Sequence, residues 1–495
     1  MTFRAKLART NFGWCVLGAG SAAELANSGS PLGGLSEPEV AAVLARIREH
    51  GGETFAEHRD SLTLRLESGS LEARSDRDIG AGVRFGTGGP RGYASTNLLS
   101  PQGLMDAARI AAASVGESID SAAPRHGRSL PVGRSVPAVQ EPSVPVDAVD
   151  IAEKASAVQR TANAAWAVDP RIRQVSVTYV DVVQHVLVVG REGDPMHDVR
   201  TRARITCRVV ARDDGVQGSG FDGPGIGGGF ELFEQHPPEQ IGVAAAARAL
   251  SQLAGIESRS GTTQVVLGPS AGGMLVHEAC GHGLEADLMS RGSSCFSRTR
   301  GTTLAGPDVS IVDDPSKLAG FGSYGMDDEG RASQRTVLID HGVHVAALTD
   351  ADAATKLVVA ASANGRRESY AFTPLCRMSN TYLDRGTETA AAIIGDVRRG
   401  VYLARLSGGE VDTATGDFTF TASEAYLIDH GQLAAPLRGV TLIGNSFRAL
   451  EAIDSVGDDL AFTEAMCGKD GQWVPISYGS PTVRIAALTV TGSHG

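Results

Sequence analysis

Apolar residues recur at helical spacing over residues 37–50, where Val40, Val43, Leu44 and Ile47 share one face before Gly51-Gly52. That spacing predicts an amphipathic helix with a glycine stop. Over residues 61–93 the period changes to two. Leu62, Leu64 and Leu66 alternate with polar positions between Gly- and Asp-rich turns, which predicts antiparallel strands. Ser100-Pro101 pairs a capping hydroxyl with a proline suited to a first turn, and predicts a helix to about Val115. An alanine-rich helix is expected over residues 146–167. Two long strands follow over 175–189 and 201–211, with a turn at Gly193-Asp194-Pro195, then a helix over 239–253. Between them, the glycine-rich residues 218–229 predict a mobile or closely packed loop.

Beyond Gly261 the strand period dominates. Leu338-Ile339-Asp340-His341-Gly342 recurs as Leu427-Ile428-Asp429-His430-Gly431. Each copy runs an apolar strand into a glycine turn, so His341 and His430 are expected at hairpin tips as turn residues, not ligands. Five prolines over residues 121–146 predict a loop. The pattern adds up to an α+β fold in two domains. An N-terminal extension (1–36) precedes an α/β domain with an antiparallel sheet (37–260, loop 121–146). A β-rich C-terminal domain (261–495) carries one conspicuous helix.

Composition narrows the function. The 495 residues are 42% hydrophobic and 21% charged, an ordinary globular balance with room for a sizeable core. No apolar run is long enough to cross a bilayer. A net charge of -12 argues against a nucleic-acid surface. Six scattered cysteines are too few for a disulfide framework and suit a reducing, cytoplasmic setting. Arg4, Lys6 and Arg9 before an apolar stretch superficially resemble a signal peptide, but Gly13, Gly18 and Gly20 break that stretch, and a plain extension is expected. Residues 16–23 match the dinucleotide fingerprint G-x-G-x-x-A. The strand before it is too short, and Ser30-Pro31-Leu32-Gly33-Gly34 follows in place of a second strand, so a small-residue leader is expected.

The candidate chemistry begins where Val265-Val266-Leu267 ends at Gly268-Pro269 and Ser270 can cap a helix carrying His277-Glu278-Ala279-Cys280-Gly281-His282. Two neutral imidazoles can hold Zn²⁺, and a neighbouring carboxylate can take a proton from the water the metal activates. The spacing is unusual. Histidines five apart diverge by about 140° in a regular helix, so joint ligation demands a π-bulge or local unwinding, which Gly281 would ease. Without it the two rings point apart and serve packing or surface roles. A third ligand is also needed. Cys280, Glu285 and Asp287 are the local choices, the acids also suiting an outer role of orienting an imidazole, and spacing does not decide among them.

With these residues stand Asn364-Gly365-Arg366-Arg367-Glu368-Ser369-Tyr370, Asn380-Thr381-Tyr382, Ser423-Glu424-Ala425-Tyr426-Leu427-Ile428 and Cys467-Gly468-Lys469-Asp470-Gly471-Gln472. In this order, over roughly residues 40–490, the motifs resemble the TldD/PmbA peptidases, and within them the TldD-like catalytic branch. The resemblance implies His277, His282 and the distant Cys467 as zinc ligands, one Zn²⁺ per active subunit, with Glu278 as the catalytic carboxylate and Cys280 unliganded. It also implies a dimer with a TldE/PmbA-like subunit that lacks the metal residues, or with a second copy. Such a dimer would enclose a cavity reached by extended peptide, in trimming or degrading peptides that include leaders of modified peptide products. Arg366 and Arg367 could then meet substrate carboxylates or carbonyls, or form a surface ion pair with Glu368 or another acid.

Three functions remain distinct on these residues. One is a zinc peptidase in which Glu278 activates zinc-bound water. Another is a non-catalytic binding or scaffold subunit with a structural or vestigial metal site. The third is a zinc hydrolase acting on small amides.

Overall fold

Two long hairpins in the first half of the chain set the scaffold. A computed structural model of the protein describes residues 38–86, 89–119, 134–136, 139–191 and 194–492. The N-terminal extension, its dinucleotide-like stretch, residues 121–133 of the proline-rich loop and Gly193 of the expected turn lie outside the described residues. Strands Glu53–Glu67, Ser70–Phe85 and Gly92–Thr96 form an antiparallel run, and Ile172–Val189 and Met196–Asp213 extend it on the Glu53–Glu67 side. Alternation along these strands gives the sheet two faces. Val177, Tyr179, Ile205 and Cys207 are fully buried on one of them, beneath helices Ile151–Ala167 and Pro238–Ala254. Helix Pro101–Ala113 is capped as expected, with the Ser100 hydroxyl accepting from the Gly103 N–H.

Of residues 218–229, expected as a loop, residues 218–222 belong instead to strand Val216–Asp222, paired with Met196–Asp213, and the rest is irregular apart from the short strand Gly225–Ile226. The glycines serve close packing. A Cβ at Gly218 or Gly220 would run into the Ala249 or Ala245 carbonyl of the helix above.

In the second half, Arg399–Val411, Gly261–Leu267, Val483–Thr491, Thr441–Asn445 and Asp417–Asp429 pair in that order, and the last also pairs with the first. The sheet therefore closes into a ring of five strands, which removes most free edges. A six-stranded sheet lies beside it. Its order is Val343–His344, Thr336–Asp340, Ile311–Asp313, Asn380–Leu383, Gln472–Ser480 and Ala461–Lys469. The two histidine turns are hairpin tips. His341 and His430 have φ of 45° and 48°, each followed by a glycine at positive φ, the geometry of a two-residue turn that follows strand twist.

Candidate metal centre

Strand Gly261–Leu267 feeds helix Pro269–Leu275, whose N-cap is Gly268 with Pro269 in the first turn. Ser270 is therefore inside the helix and does not cap it. The helix lies tight on strand Gln472–Ser480. A Cβ at Gly273 would come within 2.9 Å of the Tyr478 ring and 3.0 Å of the Gly479 nitrogen, and one at Gly272 within 2.6 Å of Ser480 Oγ. Two adjacent glycines thus fix the distance between the histidine-bearing helix and the hairpin that carries Cys467.

The irregularity that the histidine spacing demands is present. Val276–Gly281 is a π-helical turn, and the His282 N–H donates to the His277 carbonyl five residues back. One extra residue in the turn brings the fifth position over the first. Gly281 itself has ordinary right-handed angles, φ -56° and ψ -54°. Its requirement is steric, since a Cβ there would overlap the Met378 sulfur. Ala279, Cys280 and Leu284 join the main core. Burial pushes the Cys280 thiol up to about 12, as an inert core cysteine.

On the other side of that turn three side chains converge. His277 Nε2 lies 3.3 Å from Cys467 Sγ, and Cys467 Sγ lies 3.4 Å from His282 Nε2. The imidazole centroids are 5.0 Å apart and nearly perpendicular. One donor atom from each of these residues falls within 4.8 Å of the others, an arrangement that could hold a metal ion. Against the opposing effect of burial, the two imidazoles hold the Cys467 thiol down at about 4. Glu278 Oε2 is 3.8 Å from His282 Nε2, beside the cluster, and its side chain is 34% exposed.

Behind the cluster stands a buried polar brace. His282 Nδ1 is 3.0 Å from Glu285 Oε2, and Glu285 is fully buried. Lys469 Nζ donates to Glu285 and to Asp287, both at 2.8 Å, and to the Cys376 carbonyl at 3.0 Å. Burial works to raise the Glu285 carboxyl, but Lys469 and His282 hold it well below the usual carboxylate range. Of the local alternatives for a third ligand, Cys280 is turned into the core, and both acids are engaged by Lys469. In the sequence Lys469 has no role beyond its place in the Cys467–Gln472 motif. Its signal was its place two residues after Cys467 on one strand, hence on the same face.

The comparisons with known proteins agree along most of the described chain. Residues 52–115, 144–253 and 260–492 match the PmbA/TldA metallopeptidase domain 1, central domain and C-terminal domain. A protein named metalloprotease TldD homolog from Buchnera aphidicola subsp. Acyrthosiphon pisum is 31% identical over 457 residues, covering 90% of this chain and 94% of that one. The chain belongs to the PmbA/TldD metallopeptidase family. A second relative, the metalloprotease TldD homolog of Haemophilus influenzae, is 34% identical and covers 87% of this chain and 90% of that one. Among solved structures, TldE from Thermococcus kodakarensis shares the fold, with a TM-score of 0.72 at 16% identity over 92% of this chain and all of that one. No helix among the described residues is long and apolar enough to cross a membrane.

Arg366 and Arg367 depart from the expectation of a surface ion pair. They are 4% and 5% exposed, so they form no surface pair. Arg366 donates to the Met378 and Pro475 carbonyls at 2.5 and 2.7 Å.

Proposed function

We propose that this protein is a zinc-dependent peptidase for extended or unfolded peptides, with His277, His282 and Cys467 holding one ion and Glu278 acting as general base. The observation that carries this is the meeting of two imidazoles and a thiol from opposite ends of the second half, beside a partly exposed carboxylate. The donor set fits zinc. Tetrahedral zinc with Zn–N of about 2.0–2.1 Å and Zn–S of about 2.3 Å separates sulfur from nitrogen by about 3.5 Å, and the two distances here are 3.3 and 3.4 Å. Glu285 occupies Nδ1 of His282 and leaves Nε2 as its donor. The His277 nitrogen on the Cys467 side is Nε2, and its Nδ1 is buried without a hydrogen-bond partner.

Zinc, when bound, supplies the Lewis acidity that polarises a scissile carbonyl and acidifies water. Glu278 takes the proton of the attacking water and passes it to the leaving amine. Its partial exposure favours this over a sealed structural site, which would need no carboxylate facing solvent. Ala461–Lys469 ends its sheet with one paired neighbour, and an extended peptide adds to such an edge by backbone bonds with little sequence preference. Maturation or degradation of modified-peptide precursors is a use that suits such preference. A TldE/PmbA-like subunit or a second copy completes the enclosure, in the cytoplasm, where the five described free cysteines stay reduced. The second half, from about Gly261, is taken as the catalytic domain.

Metal content and hydrolysis of an unfolded polypeptide, measured with and without a TldE/PmbA-like partner, test the proposal. One zinc per chain is expected. Glu278→Ala should keep zinc and lose hydrolysis, and Cys467→Ala should lower bound zinc. Unchanged metal in Cys467→Ala would remove the thiolate from the site. Turnover retained by Glu278→Ala would remove the base, and cleavage of small amides alone would replace the substrate class.

A further inference from the structure

The N-terminal sheet has a second face, turned away from its helices. There strand Met196–Asp213 places Arg200, Arg202 and Arg204 at alternate positions, with Gln184, Val182 and Val180 opposite them on the neighbouring strand. The hairpin of Ala461–Lys469 and Gln472–Ser480 covers this face through Met466, Trp473 and Pro475, leaving a cavity of about 370 Å³. Met466 pairs with Pro475 while Cys467 pairs with Val474. Neighbouring positions on a strand face opposite ways, so this cavity and the metal cluster occupy the two faces of one hairpin.

The cavity is short of negative charge. Six arginines and two carboxylates, Asp328 and Glu368, line it. Arg200 is matched, at 2.9 Å from Asp198 and 2.7 Å from Asp328. Arg202 donates only to the Phe321 and Ser323 carbonyls, at 2.8 and 2.9 Å, and Arg204 to the Glu464 carbonyl at 2.9 Å. Arg366, likewise, meets carbonyls. Aromatic faces support two of these guanidinium groups, Phe321 beneath Arg204 and Tyr324 beneath Arg366, but they carry no formal charge. Nε of Arg204 and of Arg367 is buried without an acceptor.

Electrostatics show the same shortage. Burial, with the adjacent Arg200 and Arg366 charges, pushes Arg202 down to about 9. Burial also holds the Glu464 carboxyl up at about 7 despite Arg204, so it supplies only part of a counter-charge at neutral pH. These arginines also tie the sheet to residues 321–326, but neutral donors could make the same bonds to carbonyls. The surplus positive charge is not explained by that role.

We infer that this cavity binds an organic carboxylate with an apolar body, its carboxylate against Arg202 and Arg204 and its apolar part against Phe321, Val182 and Trp473. Planar guanidinium forks match a carboxylate. The apolar wall between them and the half-exposed Trp473 and Met466 at the mouth select against a bare inorganic anion. The carboxylate could be a peptide C-terminus or a free small acid. The inference does not depend on the metal, because the two sites face apart.

Calorimetric titration of the full-length chain, and in parallel of Cys467→Ala, tests it. The probes are N-acetyl-phenylalanine, its amide, inorganic phosphate, and an N-acetylated apolar tripeptide with a free or an amidated C-terminus. The two free acids are expected to bind at least about tenfold more tightly than their amides, the loss of a charge-assisted contact. Arg202→Gln should weaken binding by about tenfold or more. Arg59→Gln and Trp473→Ala, at less buried lining positions, should each weaken it several-fold and keep the test open if the Arg202 variant does not fold. Tighter binding of the tripeptide identifies a chain terminus, and equal or tighter binding of the single amino acid identifies a free acid. Amides that bind as well as acids, phosphate that outcompetes both, affinity indifferent to the substitutions, or no binding at all would each overturn the inference.

Discussion

Replacing Lys469 with methionine measures how firmly the histidine turn is braced from behind. The Lys469 ammonium lies 2.8 Å from both Glu285 and Asp287, with the three side chains 8%, 0% and 9% exposed. Methionine keeps much of the stem and removes the charge, leaving the buried Glu285 without its ammonium partner and Asp287 with only Arg291, at 3.5 Å. Removing one partner of a buried pair costs about 3–5 kcal/mol. Glu285 still has His282 and the Met378 N–H, so the lower end, about 3 kcal/mol, is expected. Adding Glu285→Gln removes one stranded charge. The double variant should then be more stable than the two single losses predict, by at least about 1 kcal/mol. Urea unfolding of chelator-treated protein, read from Trp473 on the same hairpin with Trp14 and Trp166 replaced by phenylalanine, isolates the term from any metal stabilisation. The pH dependence has a definite sign. Glu285 in the folded protein lies below its ordinary 4.5, so its contribution is complete above pH 4.5 and is lost as the pH falls below it. A loss under about 1 kcal/mol at neutral pH, or strictly additive variants, would refute the brace.

Other consequences are open to direct measurement. Gly281→Ala should cost about 1–3 kcal/mol by overpacking against Met378, and Met378→Ala in the same chain should recover part of it; denaturant midpoints for the pair decide. Burial, with His197 and His58 nearby, pushes His185 down to about 4, so its neutral form is favoured in the fold. Stability should fall as pH drops from about 6.5 towards 4, by at most about 3 kcal/mol, and His185→Gln should flatten that slope in pH-dependent unfolding. At the hairpin tips, His341→Asn or His430→Asn should be nearly neutral, whereas valine should cost about 1–2 kcal/mol because φ is positive at both; thermal shifts of the four variants would show it.

Legibility in the sequence followed the range of the physics involved. Helix Pro38–Glu49, the Ser100 cap and the two Asp-His-Gly turns were readable because periodicity, capping and left-handed turns are settled within a few residues. The five-residue histidine spacing stated the need for an irregular turn, and the turn is there. Local spacing could not choose Cys467 over Cys280, since 190 residues separate it from His277; only motif resemblance reached it. Residues 218–222 misled because the same glycines suit a mobile loop and a strand pressed against a helix. Arg366 and Arg367 misled because arginine is seldom buried, and the carbonyls and aromatic rings that receive them come from distant segments.

The ring of strands has a temporal corollary. Gly261–Leu267, which aims the histidine turn, is flanked in the ring by Val483–Thr491, and the cysteine arrives only on the hairpin just before that final strand. A polypeptide emerging in order from its N-terminus has both imidazoles long before it has the sulfur, and the strand that flanks the seat of their helix comes later still. A chain interrupted before that hairpin would carry His277, Glu278 and His282 without the sulfur that meets them, so competence waits for the strand that bears Cys467.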